Sequence, residues 1–155
     1  MKTKIGDRFP EFNLTGSDGK KFESSRIIGH KAVVIYFYPK DETAGCTAQA
    51  CAFRDSYQDF KDAGAEVIGI SSDLPEAHNG FAQNHQLPFI LLSDINGEFR
   101  KQIGVPGSML GLLPGRVTYV LDKKGIVRYI FNSQLNINKH IKESLSVLKE
   151  ISNEE

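Results

Sequence analysis

Residues 32–38, AVVIYFY, are apolar without interruption and rich in β-branched and aromatic side chains. A run of that length without alternation predicts a strand buried on both faces, and Pro39 ends it. From Cys46 the spacing changes: Ala50, Phe53, Tyr57 and Phe60 follow at intervals of three and four, and Gly64 supplies a stop. This pattern predicts one amphipathic helix from Cys46 to the Gly64 stop. Residues 65–71, AEVIGIS, predict a second buried strand. SDLPEAHNGFAQNHQ then predicts a helix with Asp73 near its start and Pro75 in its first turn.

The alternation continues through FILLSD as a strand, NGEFRKQIG as a short helix, and RVTYVLDKKGIVRYIF as two strands joined at Lys123-Lys124-Gly125. The last element places Ile141, Leu145, Leu148 and Ile151 on one helical face. Ahead of all these, short extended pieces around Phe12–Leu14 and Lys21–Phe22 are joined through TGSDGK, whose Asp-Gly signals a hairpin. Strands alternating with helices, closed by a late hairpin, predict an α/β fold with a mixed central sheet flanked by helices.

At 155 residues, with no repeat, low-complexity run or linker, residues 1–155 read as a single domain. Nineteen basic residues balance nineteen acidic ones, so no charged field argues for nucleic acid or an anionic membrane, and a small neutral partner is expected. The opening MKTKIGDRFPEF lacks the apolar core of a secretory signal, and no window approaches the ~18 apolar residues of a membrane span. A cytoplasmic protein is expected on these grounds. Two cysteines are too few for a disulfide scaffold, and in a reducing compartment such thiols pack, bind metal or react.

Both cysteines lie in PKDETAGCTAQAC, five positions apart at the start of the predicted helix. Five residues of helix separate Cα atoms by roughly 8 to 9 Å, beyond the ~7 Å reach of a disulfide, so either the pair never bonds or bonding requires unwinding. Cys46 falls on the apolar stripe, whereas Cys51 lies about 140° round from it. Unpaired N–H groups and partial positive charge at a helix N-terminus stabilise a thiolate, which makes Cys46 the better nucleophile candidate. Thr43 is placed to point a hydroxyl toward the same pocket, and Pro39 to shield one side of it. Inert packing is the commoner fate of a cysteine on an apolar face. A zinc site finds no support in Cys-x4-Cys with His30, His78, His85 and His140 scattered, and a redox pair of the Cys-x-x-Cys kind would need a shorter spacing.

The segment YFYPKDETAGCTAQACAFRD resembles the active-site segment of the peroxiredoxins, whose Pro-x3-Thr-x2-Cys is matched by Pro39, Thr43 and Cys46. A second cysteine within CTAQAC is similar to the peroxiredoxin Q branch, also called the bacterioferritin comigratory protein group. The likeness extends through IGDRFPEFNL, GAEVIGIS, LPFILLSD and LPGRVTYVLDKKGIV to the terminal helix. It implies a thioredoxin-like fold and a thiol peroxidase that reduces hydrogen peroxide and organic hydroperoxides. In that frame Cys46 is the peroxidatic cysteine and Cys51 the resolving one. Thr43, Pro39 and, in LPGRVTY, Arg116 are the pocket partners.

The resemblance further implies no cofactor or metal, thioredoxin or a similar dithiol protein as reductant, and a monomer. It sets an organelle such as the plastid beside the cytoplasm for a processed form. Ala44 departs from close relatives, which often carry proline there. A redox-sensing or chaperone-like interaction protein of the same fold is the competing expectation, and the apolar PGSMLGLLPG is expected either to line the pocket entrance or to pack.

Overall fold

The computed structural model describes residues 2–107 and 115–154. The segment PGSMLGLLPG, expected either to line the pocket entrance or to pack, lies mostly outside the described residues. Seven strands form one sheet: β1 (Asn13–Gly16), β2 (Lys21–Glu23), β3 (Ala32–Phe37), β4 (Ala65–Ser71), β5 (Ile90–Ser93), β6 (Val117–Leu121) and β7 (Val127–Asn132). Their order across the sheet is β2-β1-β5-β4-β3-β6-β7. β3, β4 and β5 run parallel, and the strands outside them pair antiparallel, so the sheet is mixed, as its β-rich and helical segments predict.

The uninterrupted apolar run becomes β3, and its alternate side chains feed two cores. Val34, Tyr36 and Tyr38 join Phe53, Phe60, Phe81, Leu91 and Leu148 on one face. Val33, Ile35 and Phe37 join Phe9, Phe12, Phe99 and Tyr119 on the other. Burial on both faces is what a strand without polar alternation requires.

The helices are α1 (Ala44–Asp55), α2 (Tyr57–Asp62), α3 (Pro75–His85), α4 (Glu98–Ile103) and α5 (Ile137–Asn153). The single helix expected from Cys46 to the Gly64 stop is corrected in two ways. It begins at Ala44, and it breaks at Ser56, whose φ of −101° and ψ of 6° leave the helical region. The break has a packing cause. Seven residues of straight helix rise ~10 Å, yet the rings of Phe53 and Phe60 approach to a 5.5 Å centroid distance.

At α3, Pro75 occupies the first turn as expected, but Leu74 holds the cap position. Asp73 is engaged elsewhere: its Oδ2 accepts from the Ser71 hydroxyl at 2.6 Å and from the Asp41 amide at 2.8 Å. On α5, Ile141, Leu148 and Ile151 are buried and Leu145 is half-buried against the same core. Among the described residues no helix is long and apolar enough to cross a membrane.

Candidate active site

The site forms where parallel strands β3 and β4 end, the edge of an open α/β sheet at which connecting loops converge. β3 delivers Tyr38 and half-buried Pro39, and residues 39–43 turn the chain into α1. That turn is held from below. Tyr38 donates its hydroxyl to Asp41 Oδ1 at 2.6 Å, and Asp41 Oδ2 stands 2.7 Å from His78 Nδ1. His78 Nε2 lies 3.0 Å from the Leu92 carbonyl, which only accepts, so this nitrogen carries a proton. Burial pushes the Tyr38 phenol well above its ordinary pKa, helped by Tyr36 and Asp41, so it remains a donor.

Asp41, Asp73 and His78 bring three ligand-type atoms within 4.8 Å of one another. Each is engaged in the hydrogen bonds just described, and the cluster acts as a brace beneath the loop. Above it, Glu42 adopts a φ of 61°. Its Oε2 accepts from Asn84 Nδ2 and its Oε1 from His85 Nε2, each at 2.8 Å.

Thr43 takes the N-cap position of α1, but its hydroxyl donates back to the Lys40 carbonyl at 2.8 Å. Cys46, the third helical residue, is 1% exposed among Tyr36, Tyr38 and Ala50, on the predicted stripe. Cys51 is half-buried on the same helix, and both thiols are free. With both residues inside α1, the spacing objection to a disulfide applies to this conformation directly.

Arg116, immediately before β6, reaches the sulfur from the far side of the pocket. Its Nη2 donates to Cys46 Sγ at 3.5 Å, its Nη1 to Gln49 Oε1 at 2.6 Å, and its Nε to the Gln134 carbonyl at 3.1 Å. The side chain is 4% exposed, so a permanent cation is fixed beside the thiol by three partners. Positive charge at that position stabilises negative charge on sulfur. A Cβ on Gly45 would stand 2.9 Å from Arg116 Nη2, so the absence of a side chain gives the guanidinium its place.

Two neighbours complete the surroundings. Burial pushes the Tyr36 phenol well above its ordinary pKa, with Cys46 and Asp41 adding to the effect. Its hydroxyl has no hydrogen-bond partner among the described residues. His140 behaves oppositely: burial, opposed by the bond to the Ser133 carbonyl and aided by the Arg116 charge, brings its pKa down to about 4. Its Nε2 faces the Ser133 carbonyl at 2.7 Å and its Nδ1 the Thr118 hydroxyl at 2.7 Å, an arrangement that suits the neutral ring with the proton on Nε2.

The structure thus brings Cys46 and Arg116 into contact, sets Thr43 and Pro39 on the loop that leads to them, and leaves Cys51 on the flank. Sequence reasoning missed Gln49, Gly45 and the Tyr38-Asp41-His78 brace. Gln49 carried a signal, since a polar residue three after Cys46 shares its buried face.

The AhpC/TSA family model matches residues 5–130. The peroxiredoxin Q of Populus jackii, a chloroplastic protein, is 55% identical over 150 residues, 97% of this chain and 70% of its own length. That of Triticum aestivum, also chloroplastic, is 54% identical over 97% of this chain and 69% of its own. Among solved structures, the peroxidoxin BcpB of Mycobacterium tuberculosis superposes with a TM-score of 0.87 at 33% identity, covering 96% of this chain and 98% of its own. The Xanthomonas campestris bacterioferritin comigratory protein, studied for its alkyl peroxide reduction activity, gives 0.79 at 29% identity over 90% of both chains. With this fold, this match and relatives of that identity, the chain belongs to the AhpC/TSA family, as a thiol-dependent peroxidase of the peroxiredoxin Q group with a thioredoxin-like fold.

Proposed function

We propose that residues 1–155 act as one thioredoxin-like domain in which Cys46 attacks the peroxide and Cys51 resolves the product. The observation that carries the assignment is the Arg116 guanidinium donating to the Cys46 sulfur in the first turn of α1. The Cys46 thiolate attacks one peroxide oxygen in line with the O–O bond, and that bond breaks. The departing oxygen leaves as water or alcohol once it takes a proton, and Cys46 becomes a sulfenic acid.

Charge growing on the departing oxygen is met by Arg116 and by the free N–H groups at the start of α1. Thr43 has its own proton directed to Lys40, so its oxygen lone pairs are left to accept from the peroxide O–H. Pro39 shields the loop side of the pocket.

Cys51 then attacks the sulfenic sulfur and expels water, which joins the two cysteines and requires α1 to unwind at its start. Helix ends open at low cost, which makes this local step feasible. A dithiol protein restores both thiols by exchange through a mixed disulfide, and thioredoxin is the reductant we assign. Alkyl hydroperoxides join hydrogen peroxide as substrates on the strength of the Xanthomonas relative. Family likeness supports a monomer. The chloroplastic relatives support the plastid over the cytoplasm as the site of action.

The test is mass spectrometry after one equivalent of hydrogen peroxide. A product lighter by two hydrogens, with Cys46 and Cys51 in one crosslinked peptide, is expected. Two persistently free thiols would overturn the assignment.

A further inference from the structure

Both ends of the segment that carries the two cysteines are fastened to one place, the last turn of α3. At the leading end, Glu42 is tied by its two carboxylate oxygens to Asn84 Nδ2 and His85 Nε2. At the trailing end, Arg54 Nη1 donates to the backbone carbonyl of His85 at 2.8 Å. Residues 43–53, with Cys46 and Cys51 among them, are suspended between these two points.

Glu42 is also in a backbone conformation that a side chain resists, with its φ of 61°. The two bonds to α3 hold it there, and that turn aims the chain into the first turn of α1. If those bonds open, residue 42 relaxes toward negative φ and the aim of the helix start changes with it.

We propose that Glu42 and His85 form a latch that keeps α1 wound, and so are positioning residues that divide the enzyme's time between peroxide attack and disulfide closure. The proposal rests on the roles given above to Cys46 and Cys51. A latched Glu42 favours the wound state, in which Cys46 meets Arg116. An unlatched one favours the unwound state, in which Cys46 reaches Cys51. A group that biases one of two states shifts both rates in opposite directions.

The test uses the full-length protein and three variants, Glu42→Ala, Glu42→Gly and His85→Ala, the last of which keeps the backbone carbonyl used by Arg54. The chain has no tryptophan. The steps are therefore followed by rapid acid quench, alkylation and mass spectrometry, which separate thiol, sulfenic acid, sulfinic acid and disulfide. Glu42→Ala loses the ties and, with a Cβ still disfavouring positive φ, lets residue 42 relax. Disulfide closure is expected to speed up by roughly threefold, peroxide attack to slow by about 1.5-fold, and sulfinic acid at excess peroxide to fall, together a shift on the scale of an exposed ion pair. His85→Ala should move in the same directions. Glu42→Gly, which adopts positive φ freely, should fall between wild type and Glu42→Ala.

Unchanged rates in all three variants would overturn the latch, as would a parallel slowing of both steps together with a lowered Tm, the signature of a purely structural role. A wild-type protein that forms no Cys46 to Cys51 bond would instead overturn the roles of the cysteines.

Discussion

Arg116 Nη2 stands 3.5 Å from Cys46 Sγ across a sequence separation of 70 residues. The contact is directional because Gln49 and the Gln134 carbonyl hold the other nitrogens of the same guanidinium. A lysine would keep the charge and lose that fork. Arg116→Lys is therefore expected to lower the rate constant for peroxide attack by roughly a hundredfold, the scale of losing an oriented donor to a developing oxyanion. Stopped-flow competition against a second peroxidase measures it; a change of less than threefold would show that charge alone suffices.

Gln49→Leu should leave Arg116 with two partners and no acceptor at Nη1. We expect the peroxide rate constant to fall by about tenfold, or ~1.4 kcal/mol of transition-state stabilisation. Removing the amide relieves the unpartnered Gln49 Nε2 but strands a buried guanidinium N–H, so a stability loss of about 1–3 kcal/mol is expected alongside the kinetic one. Parallel kinetics and urea unfolding would separate the two effects.

Gly45→Ala introduces a Cβ at 2.9 Å from Arg116 Nη2. The end of a flexible side chain yields easily, so thermal stability should change by no more than about 1 kcal/mol. The displaced guanidinium should nevertheless reduce peroxide attack by an order of magnitude. Equal loss in the Arg116→Lys and Gly45→Ala/Arg116→Lys proteins would confirm that the two substitutions act through one contact.

His140 supplies a pH prediction with a definite sign. Its folded-state pKa of about 4 lies below the 6.5 of a free imidazole, so the unfolded chain binds the proton more readily. Stability from this group is fully present above pH 6.5 and declines as pH falls through the window toward 4, by up to about 3 kcal/mol. His140→Gln should flatten that part of the stability curve. Urea denaturation between pH 4 and 7 tests it, and an unchanged slope in the variant would place the acid sensitivity elsewhere.

The Asp41-His78 contact is buried at both ends, with side chains 4% and 0% exposed. Asp41→Ala strands His78 and the Tyr38 hydroxyl, and is expected to cost about 3 kcal/mol, the scale of a broken buried pair. A fall in the urea midpoint measures this, and a loss below 1 kcal/mol would mean that water replaces the carboxylate.

The periodic segments were legible in the sequence because each periodicity records burial. The run at β3 announced two buried faces, and the three-and-four spacing after Cys46 placed that thiol inward and Cys51 on a flank. The hydrophobic spacing could not reveal the break at Ser56, since Phe53 and Phe60 stand seven apart in sequence, the spacing a continuous helix also gives. Arg116 was found through its motif alone, as nothing local marks it among surface arginines. Asp41 and Glu42 look like solvated loop charges in PKDET. Their partners, His78 and His85, come from a helix more than thirty residues away, and only the folded chain brings them together.

The bend at Ser56 limits how much structure a resolving step has to melt. Helix unwinding is cooperative, and an unbroken helix running on to residue 62 would tend to transmit fraying along its whole length. Here α1 and α2 are separate helices either side of Ser56, and Phe60 sits buried in the core on its own turn of helix. Ser56 is thus a firebreak for the proposed resolution: unwinding that starts at Cys46 would stop within the twelve residues of α1.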